Sequence, residues 1–172
     1  LNKTSLPYIC FMKISKWLLF ALSCFILLPC YAQTSKVDSL SRALTEAESG
    51  ALSGLPRAES KGAEMHDSTR INLLNALGSE YKFNNPDTSY TFFSQALALA
   101  EKIKWEKGKA NALRNIGVYN DIKGNYPEAL KHYFEALKIH ETIHNKKGIS
   151  ATLGNIGIVY RIQCDYPKAL DY

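Results

Sequence analysis

From about Asp67 to the last residue, apolar positions fall at three- and four-residue steps, the period of helices with one face turned inward. The stretch from about Glu106 to Lys123 carries Ala112, Leu113, Ile116, Gly117 and Tyr119 in that spacing, and Gly124-Asn125 interrupts it. A second helix is expected from Tyr126 to about His144, with Ala129, Leu130, Tyr133, Phe134, Ala136, Leu137 and Ile143 on its apolar side. Asn125 is placed to cap that helix. Tyr126 and Pro127 stand in its first turn, where a missing amide costs nothing because first-turn amides have no partner within the helix. Glu128 favours the same end through the helix dipole. The Asn145-Lys146-Lys147-Gly148 stretch reads as a turn.

The whole pattern repeats. Gly108, Leu113, Asn115, Ile116 and Gly117 return at one common spacing as Gly148, Leu153, Asn155, Ile156 and Gly157. Ile122, Tyr126, Pro127, Ala129 and Leu130 return at the same spacing as Ile162, Tyr166, Pro167, Ala169 and Leu170. An earlier copy holds Ala96-Leu97, Glu101, Ile103 and Lys107-Gly108 against Ala136-Leu137, Glu141, Ile143 and Lys147-Gly148. Leu77-Gly78 stands one position closer to Ile116-Gly117 than that spacing requires, so the first copy is one residue short between its helices. Three units result, about 67–105, 106–145 and an incomplete 146–172, with Asn85-Pro86 and Asp165-Tyr166-Pro167 repeating the capping signal. The fold class is all-α, a solenoid of antiparallel helix hairpins, because such a unit buries its apolar face only against its neighbours.

The recurring residues are a Leu or Ile before Gly, a Tyr shortly after, then Ala, an aromatic and Ala on the second helix. In the middle unit these are Ile116-Gly117, Tyr119, Ala129, Tyr133 and Ala136, and in the third Tyr160 follows Gly157. This arrangement resembles the tetratricopeptide repeat (TPR) family, over about Asp67 to Tyr172. It departs from the family in two ways. The unit is about 40 residues long where the family has about 34, and Glu141 stands where the family often has proline. Long units of this kind are similar to the N-terminal regions of bacterial TPR sensor kinases. In this reading Gly117 and Ala129 let the two backbones of a hairpin approach, with Tyr133 and Tyr119 filling the remaining space. Gly78 with Ser89, and Gly157 with Ala169, repeat the pairing.

Upstream the pattern changes. Residues 1–11 read as an upstream extension and Met12 as the start. Met12-Lys13-Ile14-Ser15-Lys16 is a short basic segment, and Trp17 to Leu28 is an almost continuous apolar run, ended by Pro29. With Cys30-Tyr31-Ala32 after it, 12–32 has the layout of a secretory signal peptide cleaved before Gln33. A membrane-spanning helix needs roughly 20 apolar residues, more than this run supplies. The competing readings are an uncleaved anchor and a lipid on Cys30, although Pro29 stands where a lipobox wants Ala, Gly or Ser. Segment 33–66 holds a helix from Ser35 to Glu48, through Val37, Leu40, Ala43 and Leu44, placed to cap the stack. A linker, Ser49 to Lys61, with Gly50, Gly54 and Pro56 follows. At the other end, the third unit's apolar face has no capping helix, so a longer protein is expected.

The leader changes the charge and cysteine arguments. Without Lys3, Lys13 and Lys16 the 21 basic residues fall to 18 against 16 acidic ones, a balance of +2. That gives no basic face for nucleic acid. Cys10, Cys24 and Cys30 fall in or before the leader, leaving Cys164 at a helix end and no internal disulfide or cysteine-based metal site.

One stretch matches a catalytic signature. His140-Glu141-Thr142-Ile143-His144 fits H-E-x-x-H, in which two histidines on one helix face hold zinc and the glutamate acts as base. Against that reading, the same stretch one unit earlier is Ala100-Glu101-Lys102-Ile103-Lys104, and no Glu or His follows His144 to complete the ligands. Two partly exposed histidines near a helix C-terminus are expected instead. His66 and His132 are isolated, and no phosphate-binding glycine loop or nucleophile-base set is present. No catalytic residue, cofactor or metal is assigned.

The functional expectation lies on the first helices. Helical spacing puts Asn111, Arg114, Asn115 and Val118 on one face of the middle unit. Gly154, Asn155, Ile158 and Arg161 form the counterpart in the third, and Asn72, Asn75, Ala76 and Ser79 in the first. The TPR resemblance implies that this face lines a concave groove in which Asn115 and Asn155 hold a peptide backbone, since an amide side chain offers both a donor and an acceptor. It also implies a protein or peptide ligand. The expected context is the exported, extracytoplasmic sensory region of a membrane signalling protein, sensor histidine kinase-like, with membrane association through a segment beyond Tyr172. The alternative is a stand-alone periplasmic or lipid-anchored scaffold, and the remote one an H-E-x-x-H zinc hydrolase.

Overall fold

The computed structural model describes residues 34–46 and 60–172, and the side chains of the second segment from Asp67 onward. The expected upstream extension, signal peptide and most of the linker lie outside the described residues. The chain divides into two compact units, Leu1–Ser39 and Leu40–Tyr172. Helix α1 (34–46) gives its first six residues to the one and the rest to the other. Within the second unit follow α2 (Ser60–Tyr81), α3 (Pro86–Lys102), α4 (Glu106–Ile122), α5 (Tyr126–Thr142), α6 (Lys146–Ile162) and α7 (Tyr166–Asp171). The described residues contain no strand.

The hairpins α2–α3, α4–α5 and α6–α7 are the three expected units. α2 starts two turns ahead of the expected Asp67, because Lys61, Ala63, Glu64 and Met65 favour helix strongly enough to carry the chain through Gly62. Capping is local and residue-specific. Asn85 accepts the Thr88 amide at 3.2 Å and Asp165 the Lys168 amide at 3.3 Å. Asn125 stands at the start of α5 without a side-chain cap bond, so there the start rests on proline in the first turn. The expected turn at Asn145 is itself a cap: the Asn145 side chain accepts from the Gly148 amide at 3.3 Å, and α6 begins at Lys146.

Backbone signs keep the same period. Lys104 and His144, at equivalent places, close their units with φ of 57° and 53°. Gly124 and Cys164 turn the hairpins with φ of 75° and 60°.

Consecutive helices pack throughout the stack. α4 also touches both α2 and α6, whereas α3 and α5 do not touch. The first helices therefore form the closely packed layer, while the second helices meet only through side chains such as Phe134 of α5 against Tyr172 at the end of α7. Ile71, Leu74, Ala96, Ala100 and Ala112 form one buried cluster, with Leu44 of α1 against it, and Ala129, Tyr133, Leu137, Ile156 and Val159 form the next.

In the first two units an aromatic ring lies nearest the glycine: the Tyr133 ring fills the space beside Gly117, as expected, and the Phe93 ring that beside Gly78. Gly157 does face the Ala169 backbone, where an added β-carbon would lie 3.2 Å from its carbonyl oxygen. Tyr119 does not share the space with Tyr133. It reaches back to the preceding unit, lies tilted against the Tyr90 ring with centroids 4.7 Å apart and donates its hydroxyl to Asp87 at 3.1 Å.

Candidate functional site

The first-helix face divides into residues spent on stacking and residues left open. Asn115 is buried, and its Nδ2 donates to Oδ1 of Asn75 on α2 at 2.8 Å. Asn75 in turn donates to the Ile71 carbonyl at 3.0 Å, and the Arg114 guanidinium donates to Oδ1 of Asn115 at 3.4 Å. This chain of amides ties the first unit to the second. Val118 packs against the Ala129–Tyr133–Val159 cluster. Asn111 and Arg114 are half-buried.

The third unit presents the same positions differently. Asn155 is half-buried, with no side-chain hydrogen bond among the described residues. Ile158 is 43% exposed, and Arg161 is exposed.

Charge is distributed unevenly across the two layers. The described ion pairs are Lys123–Asp87 at 2.9 Å, Lys109–Glu101 at 3.2 Å, Lys131–Glu128 at 3.1 Å and Lys168–Asp165 at 2.8 Å. Each acid stands on a second helix or at its cap. Arg114 and Arg161, on the first helices, have no carboxylate partner among the described residues. Burial lowers the pKa of the Arg114 guanidinium from its usual value.

Sequence reasoning missed a polar seam between α4 and α5. Tyr133 is fully buried with its hydroxyl unpartnered, and Nε of Arg114 is also buried and unpartnered. Burial raises the Tyr133 phenol well above its ordinary value; Asp121 adds to that and Arg114 opposes it. Burial likewise raises the Asp121 carboxyl. Apolar periodicity counts Tyr133 as core and gives no sign of its hydroxyl.

The H-E-x-x-H stretch does not assemble a metal site. α5 ends at Thr142, so His144 lies in the turn with positive φ and does not share a helix face with His140. His140 is fully buried, not partly exposed as expected, because its ring fills the space over Gly148. Among the described residues no three His, Cys, Asp or Glu side chains come together as a metal site would require.

The architecture is a run of two-helix units, the first one residue shorter between its helices, with a ring on a glycine inside the first two hairpins. Residues 108–172 match the family model described as Tetratricopeptide repeat. Residues 108–172 are tetratricopeptide repeats. Among solved structures, the chain is similar to the crystal structure of the TPR domain of Arabidopsis FLU, with a TM-score of 0.55 and 26% identity over 61% of this chain and 89% of that one. No curated protein sequence matches the chain. TPR arrays act as protein-interaction scaffolds, which makes the open residues of the packed layer the ones to weigh for a partner.

Proposed function

We propose that the chain is a protein- or peptide-binding TPR scaffold and that its binding surface is the first-helix layer of α2, α4 and α6. One observation carries this reading. Asn155 and Arg161 lie in the packed first-helix layer with no side-chain hydrogen bond or ion pair among the described residues, while the carboxylates of the four ion pairs stand on second helices or at a cap. A surface that keeps its amide and guanidinium donors free suits an extended backbone and its polar side chains. Of the two asparagines expected to hold a backbone, Asn155 is the better placed, since Asn115 is bonded to Asn75.

The context proposed for this scaffold is the exported sensory region of a membrane signalling protein of the sensor-kinase kind. The support is the short apolar run from Trp17 to Leu28 after a basic start, together with a unit longer than the family's usual one. The test is retrieval of partners by the full chain, followed by Asn155→Ala and Arg161→Gln. Loss of partner binding with unchanged helicity is the expected result. Binding that is indifferent to both changes would place the surface elsewhere.

A further inference from the structure

Two inter-unit junctions lie within the stack, α3 to α4 and α5 to α6. Their second helices start differently. α4 starts after Trp105 with no side-chain cap, and the Trp105 ring covers Gly108. α6 starts after Asn145, whose Oδ1 accepts the Gly148 amide at 3.3 Å. The ring over Gly148 is that of His140, fully buried in the last turn of α5. One junction is closed by an indole, which takes up no proton near neutral pH. The other is closed by an imidazole, the side chain that ordinarily does.

The imidazole is joined to the cap. Nδ2 of Asn145 lies 3.1 Å from Nδ1 of His140. Because the Asn145 oxygen is committed to Gly148, this contact is an N–H donated to an unprotonated Nδ1. A proton on Nδ1 sets two donors against each other at that distance. Nε2 offers no relief, since it is buried without a hydrogen-bond partner. The charged groups acting on the ring are cations, Arg114 and Lys107 of α4, with no carboxylate among them. The charged or titratable neighbours in sequence are Glu141 and His144 on the α5 side and Lys146 and Lys147 on α6, all of them exposed. Half a turn of the Asn145 amide relieves the clash. Oδ1 then accepts from Nδ1–H, and Nδ2 turns to the Gly148 amide, itself a donor. Gly148 is buried, so its amide loses an acceptor that water does not replace.

We propose that His140 and Asn145 form a proton-operated latch between the second and third units: a proton on the ring turns the Asn145 amide, uncaps α6 and loosens the third unit from the second. The α3–α4 junction has Ala100 and Trp105 at the same two places and stays closed. Mild acid therefore opens one junction of the stack and leaves the hairpins on its other side packed.

The test follows the full chain by nuclear magnetic resonance from pH 7.5 to pH 5. The His140 ring is expected to take up its proton while the chain stays folded. Over the same range, hydrogen-exchange protection factors at Ile149 and Thr152 of α6 are expected to fall about tenfold. Those at Lys109 and Ala112, the equivalent places on α4, are expected to hold. Asn145→Asp keeps a cap of equal quality and supplies a carboxylate that accepts from Nδ1–H whether or not the ring is charged. Its α6 is expected to keep its protection at pH 5. His140→Gln takes up no proton and is expected to show no acid-dependent difference between the two junctions. A ring that stays unprotonated in the folded chain at pH 5, or α6 protection that is unchanged by acid, overturns the latch. So does an equal loss at both junctions, or a loss in Asn145→Asp as large as in the parent.

Discussion

The ring of His140 occupies the space into which a β-carbon on Gly148 would project. At the preceding junction, one unit earlier, the ring over Gly108 belongs to Trp105. The two junctions solve one packing problem with reciprocal residues: Ala100 and Trp105 in the first, His140 and Asn145 in the second. The large side chain comes from the helix in one case and from the turn in the other.

That reciprocity is testable by exchange. His140→Ala opens a void over Gly148 and is expected to cost about 2 kcal/mol. Adding Asn145→Trp rebuilds the first junction's solution, although it removes the cap that Asn145 gives Gly148. The double variant is expected to be the more stable of the two in urea denaturation. A double variant weaker than His140→Ala alone would show that the junctions are not interchangeable.

His140 also gives the stack a pH dependence. The Asn145 oxygen is turned to the Gly148 amide, so its Nδ2 is the group 3.1 Å from Nδ1 of His140. An amide nitrogen only donates, so Nδ1 accepts and the proton of the neutral ring sits on Nε2. Burial lowers the His140 pKa, with Arg114 and Lys107 adding to it by charge repulsion. The unfolded chain takes up a proton near pH 6.5, one that the folded ring resists. Stability therefore falls as pH drops below about 6.5 and levels off beneath the folded pKa. Asp121, raised by burial, acts with the opposite sign and in the lower, carboxylate range. Urea midpoints at pH 7.5 and 5.5 are expected to differ less for His140→Gln than for the parent chain.

The unit length, the hairpins and most of the apolar core were legible because each signal recurs at a fixed spacing. Ile116 and Ile156 point inward for the same reason, and both are buried. What did not repeat was hidden. His140 replaces Ala100, so periodicity assigned it to the exposed end of a helix, whereas the neighbouring turn had made room for it by placing Asn145 where Trp105 stands. Asn115 looked free for a ligand because its partner Asn75 is not at the equivalent register, where Ala76 falls. The bond to Asn75 depends on how the two helices slide against each other, which no spacing within one helix reveals.

Two glycines in the same layer should respond oppositely to one substitution. A β-carbon on Gly117 would come within 2.6 Å of Cδ1 of Tyr133, whose ring is fully buried and has no room to retreat. Gly117→Ala is expected to cost about 1–3 kcal/mol through overpacking. Gly154→Ala meets no neighbour and is expected to stabilise by up to about 1 kcal/mol through helix propensity. Denaturant midpoints moving in the same direction would contradict the difference in surroundings.

The hairpin turns make a related comparison. Gly124 and Cys164 hold equivalent places with φ of 75° and 60°. A left-handed conformation costs an ordinary residue about 1 kcal/mol or more, part of which glycine gives back through the freedom of the unfolded chain. Cys164→Gly is expected to raise the melting temperature slightly and Gly124→Ala to lower it. A lower melting temperature for Cys164→Gly would mean the cysteine is held there by something other than turn geometry.

The amide bridge between units makes Asn115 and Asn155 separable, although they hold one repeat position. Asn115 is 8% exposed and bonded across α2–α4, so Asn115→Ala takes the donor from Asn75 Oδ1 and the acceptor from the Arg114 guanidinium and is expected to cost about 1 kcal/mol or more. Asn75→Ala removes the same bond from the other side. In a double-mutant cycle the pair should therefore cost less than the sum of the singles, with a coupling of at least about 0.5 kcal/mol. Asn155→Ala breaks no described hydrogen bond and should leave stability within about 0.5 kcal/mol of the parent. Additive costs for Asn75 and Asn115 would mean that the bridge does not hold the units together. A large cost at Asn155 would mean that it too serves the stack, and its availability to a partner would go with it.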